Sequence, residues 1–88
     1  MLEKTLLVKN KLGLHARPAA LLVQLVAKYK SKVSISKNEQ EVDGRSIMGL
    51  MTLAAECGST VTIVVEGEDE QGLLNEIEKL FENKFNED

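Results

Sequence analysis

Two hydrophobic periods alternate along this chain, and their order restricts the folds that it can adopt. A two-residue period is typical of a strand with one buried face, whereas apolar residues three or four apart are typical of an amphipathic helix. The segments with strand character are residues 2–9, 33–36, 41–43 and 60–66. The segments with helical character are residues 19–30, 47–57 and 68–85. The predicted order is therefore strand, helix, hairpin, helix, strand, helix.

The chain has 88 residues, which is too short for helices to cover both faces of a sheet built from these strands. We therefore predict an α+β fold, an open-faced β-sandwich whose helices share one face of the sheet. Residues 1–88 are expected to form a single domain around one core. The second helix is expected to begin after the N-cap Ser46 and to end at the C-cap Gly58. Periodicity alone does not distinguish this fold from a ferredoxin-like arrangement.

The composition argues against several classes of protein. A net charge of −3 and only three aromatic residues do not suit a nucleic-acid-binding protein, which normally combines basic clusters with stacking side chains. The single cysteine, Cys57, cannot form an internal disulfide and is expected to be a buried or half-buried residue of a reducing compartment. The longest apolar stretch, residues 19–27, is interrupted by Gln24 and too short to insert into a membrane, and no secretory signal is visible. We therefore expect a cytoplasmic protein.

Residues 13–18, Gly-Leu-His-Ala-Arg-Pro, contain the only histidine, the only proline and one of the two arginines of the chain. They lie between the first predicted strand and the first predicted helix. The first N–H groups of a helix have no internal acceptor and lie at the positive end of its dipole, so they can bind a phosphate. Pro18 suits the first turn, because it has no N–H to lose and its φ is already near helical. This segment is therefore a candidate anion site.

His15 and Arg17 supply the chemistry that such a site needs. An unperturbed imidazole has a pKa of about 6.5, so its neutral form can attack phosphorus near neutral pH. Arg17 can donate charge-assisted hydrogen bonds to phosphoryl oxygens, and Gly13 can adopt the positive φ of a tight turn beside the ring. A lone histidine at a helix start is more often a cap or a surface residue. Its combination with Arg17, Pro18 and Gly13 favours a phosphoryl-accepting site.

Two segments of the chain resemble signatures of one family. Residues 13–19, Gly-Leu-His-Ala-Arg-Pro-Ala, resemble the active-site segment of the HPr family, the histidine-containing phosphocarriers of the bacterial phosphoenolpyruvate sugar phosphotransferase system. Residues 46–51, Ser-Ile-Met-Gly-Leu-Met, resemble the second signature, in the form found in Gram-positive and related bacteria. The resemblance implies a four-stranded antiparallel sheet in the order first, fourth, second, third, with three helices on one face.

The resemblance also implies a function. His15 would accept a phosphoryl group through Nδ1 from phosphorylated enzyme I and pass it to sugar-specific enzyme II A components. Ala16, Arg17 and Pro18 would form the phosphate-binding segment. Neither a metal nor a cofactor is implied, because such a carrier is a substrate of larger enzymes and not itself an enzyme. We expect the protein to be a monomer that neither binds nucleic acid directly nor inserts into a membrane.

The second helix carries the other implied contacts. The resemblance assigns partner docking to Ile47, Met48 and Met51, together with Ala20 on the first helix, and methionine side chains can adapt to several partner shapes. It also implies that Ser46 is a regulatory phosphorylation site for an HPr kinase/phosphorylase, with a catabolite control protein as a further partner. A phosphate there would suit the helix N-terminus but would add negative charge to the docking surface, so binding to enzyme I should weaken.

Leu50, Leu53 and Cys57 form a separate stripe on the second helix, which we expect to face the core. Two positions depart from the family pattern. Leu12 stands where a small polar residue is common near the phosphate, which puts one auxiliary hydrogen bond in question. Ala54 stands where a glycine is common, which indicates closer packing or a stiffer backbone.

The sequence leaves three other interpretations open. One is a ferredoxin-like binding or regulatory module that uses its sheet face and for which His15 is only a surface residue. Another is a small hydrolase such as an acylphosphatase, which the sequence supports poorly because no suitably placed water-positioning amide accompanies the arginine. The third is an HPr-like protein of a nitrogen or dihydroxyacetone phosphotransferase branch. Histidine at position 15 distinguishes the chain from the regulatory paralogue that lacks this residue.

Overall fold

The computed structural model describes residues 1–87 of the chain. Strands and helices follow one another in the predicted order, and a 3₁₀ turn follows the last helix. The strands are β1 (Leu2–Leu7), β2 (Lys32–Lys37), β3 (Gln40–Asp43) and β4 (Thr60–Glu66). The helices are α1 (Ala16–Ala27), α2 (Ile47–Thr52) and α3 (Glu70–Glu82), and the 3₁₀ turn is Lys84–Asn86. The last residue of the predicted domain range, Asp88, lies outside the described residues.

The strands form an antiparallel sheet in the order β1-β4-β2-β3. β4 is central, since Val65 pairs with Leu2 of β1 on one side and with Val33 of β2 on the other. β2 and β3 form the predicted hairpin, whose turn includes Asn38 at φ 57°. The fold is an α+β open-faced sandwich, as predicted, and its strand order is the one that the family resemblance implied.

The helices bury one face of the sheet. On β4, Val61, Ile63 and Val65 are at most 1% exposed, whereas Thr62 and Val64 on the opposite face are half-buried. Side chains from all three helices join the same core: Leu22, Val26, Leu50, Leu73, Ile77 and Phe81. Each buried side chain of this size stabilises the fold by about 1.5–3 kcal/mol relative to an exposed one. Tertiary packing therefore holds the short helices in place, because isolated helices of this length are marginal.

Some predicted element ends are wrong by a few residues. α1 ends at Ala27 and not at residue 30, because the N–H group of Lys28 bonds to the carbonyl of Leu25, three residues back, at 3.1 Å. β1 ends at Leu7 and not at residue 9. The chain turns sooner than predicted at both places. α1 also begins at Ala16, three residues before its predicted start, and α3 begins at Glu70, two residues after its predicted start.

The prediction that α2 ends at Gly58 is also wrong, since the helix stops at Thr52. Ala54 has φ 51°, a left-handed conformation that cannot continue the helix. The turn that follows places the carbonyl oxygen of Ala55 2.9 Å from the N–H nitrogen of Leu14. The early end of α2 therefore connects this segment to the loop that contains the candidate site.

Cys57 lies outside α2 and is exposed, so its predicted buried or half-buried position is wrong. Its thiol donates a weak hydrogen bond to the carbonyl oxygen of Lys9 at 3.6 Å. Leu50 and Leu53 do face the core, at 0% and 3% exposure. No helix within residues 1–87 is long and apolar enough to cross a lipid bilayer.

Candidate phosphoryl-accepting site

A buried asparagine and a glycine fix the loop between β1 and α1. Asn10 is fully buried, and its Nδ2 donates a hydrogen bond to the carbonyl oxygen of Gly13 at 2.6 Å. Gly13 has the expected positive φ, +70°, and a Cβ at this position would collide with the carbonyl oxygen of Ala55. The same oxygen accepts the N–H of Leu14. The loop before the histidine is thus attached directly to the segment that follows α2.

His15 is the N-cap of α1. Its backbone is extended, with φ −84° and ψ −170°, and its carbonyl oxygen accepts the N–H of Ala19 at 3.0 Å. Its side chain makes no capping hydrogen bond. Within residues 1–87 the N–H groups of Ala16 and Arg17 have no backbone acceptor, and Pro18 has no N–H. The positive end of a twelve-residue helix therefore offers two backbone donors to an anion.

The histidine ring and the arginine are both accessible. The side chain of His15 is 35% exposed. Arg17 is exposed and lines a groove together with Lys11 and Glu87. Two cationic side chains in this groove favour the approach of a phosphoryl group, and a guanidinium can hold two of its oxygens.

Glu87 belongs to the same site, although no sequence pattern singled it out. Its Oε2 lies 2.9 Å from Nε2 of His15, and its Oε1 accepts a hydrogen bond from Nδ2 of Asn10 at 3.0 Å. The Asn10 amide, followed by His15 and the charge of Arg17, holds the pKa of the Glu87 carboxyl below its usual value, against the opposing effect of partial burial. The side chain is only 14% exposed. A shielded carboxylate therefore lies against one nitrogen of the imidazole.

A left-handed turn at the end of α3 brings Glu87 to this position. Lys84, Phe85 and Asn86 have φ values of 55°, 54° and 61°, a conformation that costs about 1–2 kcal/mol for each residue with a Cβ. Phe85 is fully buried, and its ring centroid lies 4.8 Å from that of Phe81. Burial of this ring offsets the strain. Phe85, predicted within the last helix, thus anchors the turn instead.

The predicted docking residues of α2 are exposed, and one of them lies beside the histidine. Ile47, Met48 and Met51 are 40%, 73% and 42% exposed. Met51 and His15 line the same shallow depression, to which Leu12 also contributes. Leu12 is 73% exposed, so it adds apolar surface where the family commonly has a polar side chain. The accessible apolar side chains therefore continue up to the imidazole.

The other two predicted site residues lie on the helices beside it. Ala20 is half-buried on α1, just beyond its first turn. Ser46 is the N-cap of α2, as predicted, and its Oγ accepts the N–H of Gly49 at 3.0 Å. A Cβ at position 49 would lie 3.2 Å from this Oγ and 3.1 Å from Cβ of Val42. The glycine therefore permits a close approach between the start of α2 and the sheet.

A four-stranded open-faced sandwich with a partly exposed imidazole at an open helix N-terminus has the architecture of a histidine phosphocarrier. The chain belongs to the HPr family, because the family model "PTS HPr component phosphorylation site" matches residues 2–83. The chain is 49% identical to the phosphocarrier protein HPr of Treponema pallidum over 88 residues, an alignment that covers 100% of both proteins. The predicted family is thus confirmed. HPr proteins are phosphocarriers of the phosphotransferase system, that is, carriers and not catalysts.

Solved structures agree with the fold. The crystal structure of HPr-C-His from Thermoanaerobacter tengcongensis superposes with a TM-score of 0.95 at 43% identity, covering 100% of this chain and 99% of that chain. Crh, a catabolite repression protein of Bacillus subtilis solved as a swapped dimer, gives a TM-score of 0.76 at 40% identity, covering 96% of this chain and 97% of that chain. The family therefore includes both carrier and catabolite-repression members.

Proposed function

We propose that His15 accepts a phosphoryl group on Nδ1 from phosphorylated enzyme I and passes it to enzyme II A components of sugar permeases. The observation that carries this proposal is the open N-terminus of α1. His15 occupies the cap position without capping the helix, and the N–H groups of Ala16 and Arg17 have no backbone acceptor within residues 1–87. An imidazole and two amide donors together are what a transient phosphohistidine requires.

The groups of the site have distinct roles in this proposal. The neutral ring attacks phosphorus, and the field of α1 stabilises the phosphoryl charge that results. Arg17 binds the phosphoryl oxygens from the exposed side of the site. The P–N bond remains labile enough for a second transfer. No metal or cofactor takes part in this step.

The direct test is incubation of the protein with enzyme I and phosphoenolpyruvate, followed by measurement of bound phosphate. We expect one acid-labile, base-stable phosphate per chain, and none on His15→Ala. Phosphate uptake by His15→Ala, or its absence from the wild type, would refute the proposal. Persistence of partner binding in His15→Ala, with loss on substitution of the sheet face, would instead favour a binding module.

We also propose that enzyme I and the A components dock on the surface formed by Ala20, Ile47, Met48 and Met51. Support comes from the exposure of the three α2 side chains and from the depression that Met51 shares with His15. Met48→Asp should raise the KM for enzyme I with little change in kcat, because it removes binding surface and leaves the reacting groups in place. Leu7→Asp, on an edge strand and 44% exposed, is the matched control and should leave the KM unchanged.

Ser46 is proposed as a regulatory phosphorylation site for an HPr kinase/phosphorylase, with a catabolite control protein as the partner of the modified form. Its hydroxyl lies at the start of the docking helix, so added charge would enter that surface. Ser46→Asp should weaken binding to enzyme I. Ser46→Asn is the control, because asparagine is an equally good N-cap without charge. Equal binding by both variants would exclude an electrostatic mechanism.

The remaining proposals concern assembly and location. We propose that residues 1–88 form one cytoplasmic domain that acts as a monomer. Crh of Bacillus subtilis was solved as a swapped dimer, so mass measurement in solution at several concentrations decides this question. A constant mass of one chain supports the proposal, and a concentration-dependent shift to two chains contradicts it.

A further inference from the structure

We propose that Glu87 is a positioning residue for phosphoryl transfer, which holds the ring proton of His15 on Nε2 and so presents the lone pair of Nδ1 to phosphorus. This inference rests on the proposed function of His15. It adds a residue that lies beyond the part of the chain, residues 2–83, that matches the family model.

The geometry determines where the proton is. Oε2 of Glu87 lies 2.9 Å from Nε2 of His15. An ionised carboxylate can only accept hydrogen bonds, so Nε2 must be the donor, and a neutral imidazole carries only one N–H. The low pKa of the Glu87 carboxyl keeps it ionised at neutral pH. Nδ1 is then the unprotonated nitrogen, which is the one that can act as a nucleophile.

Several contacts hold the carboxylate against the ring. Its second oxygen accepts from Nδ2 of Asn10, which is fully buried and also donates to the carbonyl of Gly13. The N–H of Glu87 donates to the carbonyl of Lys84 at 2.9 Å, and Phe85 anchors that turn in the core. A surface ion pair between flexible side chains would have none of these supports. The contact is therefore built into the fold and can orient the ring.

The same contact favours the charge that transfer creates. The Nδ1 lone pair forms the N–P bond, and the bond from phosphorus to the donor breaks with its electron pair staying on the donor. The ring becomes a phosphoimidazolium that keeps its proton on Nε2, next to the Glu87 carboxylate. No proton has to move in either direction of transfer. The other charged groups at the site are Arg17 and Lys11, which line a groove with Glu87, and Glu56, which lines the depression with His15.

The experiment compares Glu87→Ala and Glu87→Gln with Glu76→Gln, which removes a half-buried carboxylate of α3 that pairs with Lys79. Ring ¹⁵N shifts and the solvent exchange of the Nε2 proton are measured by NMR, and the rate of phosphorylation by enzyme I is measured in parallel. We expect the wild type and the control to have an unprotonated Nδ1 and a slowly exchanging Nε2 proton. Glu87→Ala should lose that protection, and kcat should fall roughly five- to twentyfold at similar KM. Glu87→Gln should be intermediate, because it keeps an acceptor but loses the charge.

Two results would overturn the inference. One is a wild-type ring that carries its proton on Nδ1. The other is a pair of Glu87 variants that match the control in both proton exchange and kcat. Since Glu87 lies after the anchoring Phe85, the variants should fold, and unchanged melting curves would verify this. If the wild type gained no phosphate at all, the proposed function of His15 would fail as well. If the wild type is phosphorylated and the Glu87 variants match the control, only the role of Glu87 fails.

Discussion

The N-termini of α1 and α2 use their first N–H groups in opposite ways. At α2, the Ser46 hydroxyl accepts the N–H of Gly49 at 3.0 Å, so the helix start is closed by its own side chain. At α1, His15 occupies the same cap position without a capping bond, and the N–H groups of Ala16 and Arg17 have no backbone acceptor within residues 1–87. A closed start stabilises the helix, whereas an open one leaves donors for a ligand. One start thus serves stability and the other is available for function.

The N-terminus of α3 shows a third arrangement. Its N-cap, Asp69, does not cap its own helix. Its carboxylate accepts the N–H groups of Lys30 and Ser31 at 2.8 and 3.0 Å, together with the hydroxyl of Ser31. The side chain therefore links the start of α3 to the turn before β2. Aspartate is a common helix cap, but at this helix start it makes a tertiary contact instead.

Removing the cation at the open start should have the largest effect. Arg17→Ala should lower kcat/KM for phosphorylation by enzyme I about 100-fold, because loss of a charged donor at the transferred group costs about 2.7 kcal/mol of transition-state stabilisation. The melting temperature should not change, since Arg17 is exposed. Lys28→Ala, at the other end of α1, is the matched control. Equal rates for the two variants would show that Arg17 has no part in transfer.

The open start also depends on the turn that precedes it. Gly13→Ala should destabilise the protein by about 1–3 kcal/mol, since it combines a positive φ of +70° with a collision against the carbonyl oxygen of Ala55. Gly58→Ala is the control, because Gly58 also has a positive φ, +91°, but nothing lies within 4 Å of the place that an added methyl group would occupy. Denaturant unfolding measures both changes. Equal losses would mean that the contact with Ala55 does not matter.

At the closed start, the effect should be on stability alone. Ser46→Ala should reduce the free energy of unfolding by about 1 kcal/mol, because the N–H of Gly49 loses its acceptor. Ser46→Asn should retain that stability. The rate of His15 phosphorylation should be the same in both variants. A rate that falls with Ser46→Ala and not with Ser46→Asn would mean that the two helix starts are coupled.

The smallest effect should appear at α3, where the stability contributed by Asp69 is lost only at low pH. Hydrogen bonds, first from the Ser31 hydroxyl and then from the Lys30 N–H, lower the pKa of Asp69 below 3.8, while burial opposes them. A lowered folded-state pKa gives stability that is complete above the usual pKa and is lost as pH falls through the lower value. The stability difference between wild type and Asp69→Asn should therefore shrink below about pH 4. A difference that stays constant down to about pH 2 would contradict this.

The sequence predicted the order of the elements because the spacing of apolar residues depends on the type of element and on its having one buried face. It also located His15 and Arg17 at a helix start, and Ser46 as a cap, since these depend on neighbours in the chain. It predicted the end of α2 too late, because alanine rarely adopts the left-handed conformation that Ala54 has here. It missed Glu87 for a related reason. That residue is 72 positions from His15 and reaches it through a left-handed turn that contains no glycine.

The open start of α1 should make His15 a phosphoryl acceptor at Nδ1, and on this the proposed function depends. Its most direct test is ³¹P NMR of the protein labelled with ¹⁵N at histidine, after incubation with enzyme I and phosphoenolpyruvate. We predict a single phosphorus signal coupled through one bond to Nδ1 of His15. A spectrum without such coupling, with phosphorus on Nε2 or on another residue, would contradict this assignment.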